Sequence, residues 1–429
     1  MRSDGGAQGP DPAPRPPAAG ADGASQGRRG GAARLREAAD RLRPDILRWR
    51  RHLHAHPELS GRETATAAYI AAELEGLGLR PRRPLANAVV VDIGGGPADT
   101  GSRAGGARLV ALRADIDALP IEEETGLPFA SRHAGAMHAC GHDGHVAILL
   151  GAAALLAARG PDGAPARLIF QPAEEVPPGG ALDLIAAGVL DGVHAIAGLH
   201  LWSPLRSGSA AVVSGPAWAA ADRFRAVIRG RAAHAAQPHR AIDALETACR
   251  AVVGLQSIVS RRVDPLEPAV VTVGRLHAGQ AFNVIAGEAV LEGTVRAFDE
   301  DVRRGIRRQV EEVLRHAAAV AGATVEIEYV DGYPPLVNDP AAAAILREVA
   351  ADHLGADRVE AGPRELAADD FARYLQRVPG CYVTLGAGGA GPEPAFPHHH
   401  PRFDIDEAVL PLGAAILADA VERLAALRP

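Results

Sequence analysis

The chain contains no lysine; all 45 of its basic residues are arginine. That absence excludes Schiff-base catalysis, pyridoxal-phosphate attachment and a Walker-type phosphate loop, each of which needs a lysine. Cysteine is almost as scarce, with three copies at Cys140, Cys249 and Cys381. An odd, sparse count makes no disulfide framework. Together with the lack of an apolar leader, it gives the expectation of a reducing, cytoplasmic setting. No run of about 18 uncharged apolar residues occurs, so neither a membrane span nor a membrane partner is expected. Acidic residues outnumber basic ones, 52 to 45, which argues against nucleic acid as a partner. What remains is 429 residues, 47% apolar and 23% charged, an ordinary composition for a globular protein of two or three domains.

Gly, Pro and Ala make up 21 of the first 34 residues, so 1–34 reads as a disordered tail. Helical spacing starts at Leu35, Leu42, Ile46 and Leu53. Ser60 and Glu63 have the S-x-x-E spacing of a capping box opening the next helix. Strand-like runs at Ala88–Ile93, Leu109–Leu112, Leu168–Phe170 and Ala195–Leu199 then alternate with helical ones at Gly144–Ala158 and Gly180–Ala187. Such alternation predicts an α/β fold with a mixed, partly parallel sheet flanked by helices. From about Ala217 the pattern becomes strand-rich, with helices near Ile242–Val259 and Arg304–Val320. The expected organisation is a catalytic domain built from 35–216 and 333–429, interrupted by an inserted α+β block at 217–332.

Histidine is abundant, with 17 copies, and four of these lie between His133 and His145. Cys140 and His142 are one residue apart, so a turn can aim thiolate and imidazole at one ion. By spacing alone, a small buried cysteine beside structural histidines explains the motif equally well. Glu174 and Glu175 follow an apolar strand, where two adjacent carboxylates need compensation. A solvated loop pair is the bland reading. The chemical reading makes one a metal ligand and the other a general base. His200 closes an apolar run, and His398, His399 and His400 stand together near the C-terminus.

These segments together resemble the metallopeptidases of peptidase family M20, in particular its amidohydrolase subfamily. The resemblance spans about Arg50 to Val421 and rests on RRHLHAHPELSGRET (50–64), RADIDALPIEEETGLPFASRH (113–133), MHACGHDGH (137–145), LIFQPAEE (168–175), GLHLW (198–202), AAHAAQPH (232–239) and HHPRFDIDE (399–407). It implies a dimetal exopeptidase-like catalytic domain with an inserted lid or dimerisation domain. The implied metal ligands are Cys140, His142, Glu175, His200 and His399, with Glu174 as catalytic base. Asp115, Asp117 and Asp143 are candidates for orienting a ligating histidine, Asp117 first among them. It implies His234 at the substrate carbonyl, reached across a dimer, and Asn283 and Arg296 near the substrate carboxylate. Three departures from the family pattern bear on substrate fit: Ala232-Ala233 before His234, Ala286 after Asn283-Val284-Ile285, and the acidic pair Asp369-Asp370.

The expected activity is hydrolysis of the amide bond in N-acyl amino acids or related conjugates, using two divalent ions, Mn²⁺ or Zn²⁺. The expected assembly is a homodimer or higher homo-oligomer. The rivals are a dimetal dipeptidase or aminopeptidase, and an inactive metal-binding protein. An intact Glu174 counts against the last.

Overall fold

The computed structural model describes residues 20–94, 108–160, 163–389 and 395–428. Apolar strands that alternate with apolar helices must have both sheet faces covered. The chain does this with a seven-stranded sheet in the order Val89–Ile93, Ala166–Gln171, Leu109–Asp115, Val193–Arg206, Gly380–Gly388, Ala210–Ala211, Val359–Glu360. From Ala166–Gln171 to Gly380–Gly388 neighbouring strands run parallel, while Val89–Ile93 pairs antiparallel at one edge. Side chains alternate between faces as the pleat requires: Val110 and Leu112 enter one core, Ala111 the other. The helix His142–Ala158 is buried along almost its whole length, and the helices Arg43–Ala55 and Leu410–Leu424 pack against it. No helix among the described residues is long and apolar enough to cross a membrane.

A second sheet is antiparallel, in the order Thr324–Tyr333, Ala220–Arg229, Glu288–Ala297, Ala269–Ala278. The helices Ala244–Arg261 and Glu300–Ala321 cover it, closing a separate core around Phe224, Leu255, Leu291 and Leu314. Both helices start on an aspartate: Asp243 accepts from Leu245 and Glu246, and Asp299 from Asp301 and Val302. The chain leaves and returns side by side, Gly215–Trp218 pairing antiparallel with Leu336–Asn338. Buried Asp222 fixes the base of this block. It accepts from Arg303 at 2.9 and 2.6 Å, the Tyr329 hydroxyl at 3.0 Å and the Gly332 N–H at 2.9 Å. A Cβ at Gly332 would lie 2.0 Å from the Ala221 carbonyl, so only glycine allows this crossing.

The N-terminal segment corrects one expectation. A helix spans Gly20–Arg41, ahead of the Leu35 onset, and the rest of the expected tail, 1–19, lies outside the described residues. Its small residues are an asset: Ala32 and Ala39 are buried where this helix lies on Leu410–Leu424. Arg36 ties the same helix to a second one, Pro340–Leu354, by donating to the Asp352 carbonyl at 3.3 Å.

Candidate metal centre

Parallel strands end together, so residues just past their carboxyl ends share one edge of the sheet. Leu109–Asp115 ends at Asp115, and Ala166–Gln171 ends just before Pro172-Ala173-Glu174-Glu175. His200 is not at a strand end as expected but inside Val193–Arg206, opposite Thr384. The neighbouring strand pairs with it only as far as Gly198, so His200 still sits beyond the last rung on that side. Cys140 and His142 flank Gly141, whose φ of 89° turns the chain into the helix His142–Ala158. His399 also has a left-handed φ, 65°, which is costly for a side chain with a Cβ. Its N–H donates to the Ala139 carbonyl at 2.8 Å, latching the C-terminal loop to the one that carries Cys140.

The six residues expected at the centre come together. Ligand atoms of Cys140, His142 and His200 lie within 4.8 Å of one another, as do those of Cys140, Glu175 and His399, and those of His142, Glu174 and Glu175. Cys140 Sγ is 3.7 Å from His200 Nε2, and Glu175 Oε1 is 3.8 Å from His142 Nε2 and 3.3 Å from His399 Nε2. Hydrogen bonds fix which ring nitrogen is free. His200 Nδ1 donates to the Leu201 carbonyl at 2.7 Å, leaving the Nε2 lone pair toward the sulfur. His142 Nδ1 lies 2.9 Å from the Asp117 carbonyl and 3.3 Å from its carboxylate, the orienting contact expected of Asp117. His142 Nε2 and Glu175 Oε1 are buried with no hydrogen-bond partner. Each such orphan costs about 1–3 kcal/mol. A cation between them removes both penalties, so the donor set fits a divalent ion.

Other histidines are otherwise engaged. His145 Nδ1 donates to Asp115 at 2.6 Å and its Nε2 accepts the Leu201 N–H at 2.9 Å, leaving no lone pair for a metal. His400 stacks on Phe396 at 4.6 Å and accepts the Arg402 N–H at 3.0 Å, outside the cluster.

Electrostatics point the same way. Burial, then Glu175, Glu174 and Asp115, push the Cys140 thiol up. Burial, then Asp369, Glu175 and Asp370, hold the Glu174 carboxyl well above its usual range. For His142 burial acts downward, but Asp115, Asp117 and Glu175 raise it to about 10. The guanidinium beneath, buried Arg113, is already shared by Asp115 at 2.6 Å, Asp370 at 2.7 Å and Asp369 at 3.2 Å. The site carries more negative charge than its arginine offsets, the surroundings in which a bound cation is favoured.

Two supporting residues have different work from that expected. Ser60 and Glu63 form no capping box; the helix Thr64–Gly76 has no side-chain cap at Glu63. Ser60 Oγ instead donates to Asp117 at 2.6 Å. Glu63 accepts from the Gly61 N–H at 2.8 Å, the Ala173 N–H at 2.7 Å and Asn87 at 2.8 Å. Ala173 has φ 54°, so Glu63 braces a left-handed turn directly before Glu174. Donors on this buried turn outcompete helix N–H groups that water can satisfy.

Asp143, a weaker candidate for orienting a ligand, takes Arg50 at 2.9 Å and His54 at 2.8 Å instead. Arg50 also grips Asp404 at 2.7 Å and Glu407 at 2.9 Å, tying the segment after His399 to the Cys140 loop. Burial acts to lower His54, but Asp143 and Glu123 outweigh it and raise it from 6.5 to about 9. A raised folded pKa stabilises fully below the unfolded value, and this is lost as pH climbs through the folded one. The stability gap between wild type and His54→Asn should therefore be widest below pH 6.5 and narrow by about pH 9. Urea midpoints across that range test it; a gap independent of pH would refute a charged His54.

His234, Asn283 and Arg296 lie apart from the centre. Among the described residues, no hydrogen bond or ion pair joins them to it. His234 is exposed on a two-stranded ribbon opposite Val284, and the Asn283 carbonyl accepts the Ala235 N–H at 3.0 Å. Arg296 is half-buried and donates to the Thr294 hydroxyl and to the Val295 carbonyl, the latter at 3.0 Å.

A mixed sheet with thiol, imidazole and carboxylate donors gathered at its carboxyl edge defines a metal-dependent hydrolase. Residues 111–423 match the model of Peptidase family M20/M25/M40, and the chain belongs to that family. It is 41% identical over 389 residues to the N-acetyl-L-cysteine deacetylase of Bacillus subtilis, covering 89% of each chain. It is 45% identical over 306 residues to the N-acyl-L-amino acid amidohydrolase of Geobacillus stearothermophilus, covering 71% of this chain and 80% of that one. Among solved structures, the YXEP protein of Bacillus subtilis, described as a dinuclear metal binding peptidase, is 36% identical with a TM-score of 0.75. That match covers 89% of this chain and 98% of that one.

Proposed function

We propose that the chain is a metal-dependent amidohydrolase that cleaves the amide bond of N-acyl amino acids, with Glu174 as general base. The observation that carries this is Cys140 standing in two donor groups at once, with His142 and His200 and with Glu175 and His399, beside a buried Glu174. Two three-residue sets sharing one thiolate suit a pair of ions. Such ions supply carbonyl polarisation and a lowered pKa for the attacking water. The soft thiolate favours Zn²⁺, and Mn²⁺ is the alternative. Glu174 takes the proton from water and returns it to the leaving amine. Asp117 and the Leu201 carbonyl hold the two imidazoles in their ligating tautomers. Arg296, without a carboxylate partner among the described residues, suits the carboxylate of the amino-acid half, and Asn283, on the ribbon that carries His234, is read as a further substrate-binding group. The names of the deacetylase and amidohydrolase relatives support the substrate class. The block from 217 to 332 is read as a lid and dimerisation domain, in a cytoplasmic homodimer.

The test is release of amino acid from N-acetyl-methionine and hippurate with added Mn²⁺ or Zn²⁺. A chelator should abolish it, and metal should restore it. Cleavage of dipeptides in preference to N-acyl amino acids would favour a dipeptidase instead. His399→Ala should lower metal stoichiometry after gel filtration, whereas His400→Ala should leave it near wild type. The reverse pattern would put the ligand register off by one.

A further inference from the structure

His398 has no part in the donor set, yet its ring is aimed at the cluster. The loop Pro397-His398-His399 sends two neighbouring rings to different atoms. His399 Nε2 approaches Glu175 at 3.3 Å, and His398 Nδ1 approaches Cys140 Sγ at 3.7 Å. His200 Nε2 is equally 3.7 Å from that sulfur. The two nitrogens differ in what they carry. His200 holds its proton on Nδ1, against the Leu201 carbonyl, so its Nε2 presents a lone pair. His398 Nε2 accepts the Ser203 backbone N–H at 3.2 Å. A backbone N–H can only donate, so the His398 proton is on Nδ1, toward Cys140. The ring has little freedom to turn: it stacks on Trp202 at 4.5 Å and packs on Phe403 at 4.8 Å.

We propose that His398 is a positioning residue that donates an N–H···S hydrogen bond to the Cys140 thiolate, and is not itself a metal ligand. The inference rests on the reading above that Cys140 ligates metal. A thiolate shared by two ions and ringed by Glu174, Glu175 and Asp115 needs its charge spread. A fixed neutral donor does that without adding a competing ligand, and it holds the sulfur where both donor groups meet. The Cys140 carbonyl competes for the same proton, so the test must read the sulfur itself.

Co²⁺ is the probe, because a sulfur-to-cobalt charge-transfer band reports on the sulfur directly. In the Co²⁺-loaded full chain, His398→Phe keeps an aromatic ring but removes the donor. The band should persist and move to longer wavelength, and Co²⁺ retention should weaken by about 10–100-fold. His398→Asn, whose amide can place an N–H near the Nδ1 position, should move the band back toward wild type. If His398→Phe does not fold, as judged by circular dichroism, His398→Asn and His398→Leu form the same comparison. A band unmoved in the donor-less variant would place the proton on the carbonyl and overturn the proposal. Loss of one of two ions at saturating Co²⁺ would make His398 a ligand, and would also overturn it. Absence of the band in wild type would remove Cys140 from the ligands, so the reading beneath would fall with it.

Discussion

Glu174→Gln should keep its metals and lose about 10²–10⁴-fold in kcat, the usual worth of a positioned general base. The substitution keeps shape and removes only the ability to accept a proton. Glu174 and Glu175 are adjacent but held in different surroundings. Glu175 donates its backbone N–H to Asp117 at 2.9 Å and points Oε1 between His142 and His399. Glu174 has its carbonyl taken by the Tyr333 hydroxyl, and its carboxylate groups with Asp369 and Asp370 as well as with His142 and Glu175. Burial, then Asp369, Glu175 and Asp370, raise its proton affinity, so it is suited to taking a proton and holding it for transfer. Glu175→Gln should behave oppositely, with metal lost first. Elemental analysis beside turnover of N-acetyl-methionine separates the two. Normal metal content with unchanged kcat in Glu174→Gln would remove the base from that position.

Much of this centre was legible in the string. Residues held to one edge by strand ends leave a mark in sequence, since an apolar run stops where the polar residue begins. Asp115 and Glu174-Glu175 show that mark, and Cys140-Gly141-His142 adds a turn glycine between two donors. What was not legible depended on distant backbone. The strand Gly380–Gly388 is masked in the string, since it begins and ends on glycine and Gly386 cuts short its apolar run Cys381–Leu385. Gly380, Gly386 and Gly388 are glycines because a Cβ would lie 2.2, 2.0 and 2.3 Å from the carbonyls of Ile196, Arg206 and Ser203. Ser60 and Glu63 have the spacing of a cap, and only the folded turn at Ala173 offers them better partners. The direction of the His398 proton is set by Ser203, 195 residues away in sequence. Local pattern gives the candidate donors; long-range packing gives their tautomers and supports.

Pairing inactive His234→Ala with inactive Glu174→Gln should restore activity if His234 acts across a dimer. Alone, His234→Ala should lower kcat by about 10²–10³-fold, the cost of one donor to a developing oxyanion, with metal content intact. In this chain His234 is exposed and unconnected to the centre, so a catalytic His234 needs closure or a second copy to deliver it. The surface around it favours a second copy. Phe282, beside Asn283, is fully exposed, and Val284, opposite His234 on the ribbon, is 46% exposed. Apolar groups grouped so at a tip are a mark of a protein interface. In a hybrid dimer, the chain carrying His234→Ala keeps Glu174 and receives His234 from the other chain, completing one site. Random exchange of equal amounts makes about half of the dimers hybrids, so about a quarter of wild-type activity should return. Light scattering and tagged-subunit capture establish that exchange has occurred. No recovery after confirmed exchange, or full activity in a stable monomer, would end the case for action in trans and leave closure of the chain's own lid as the route.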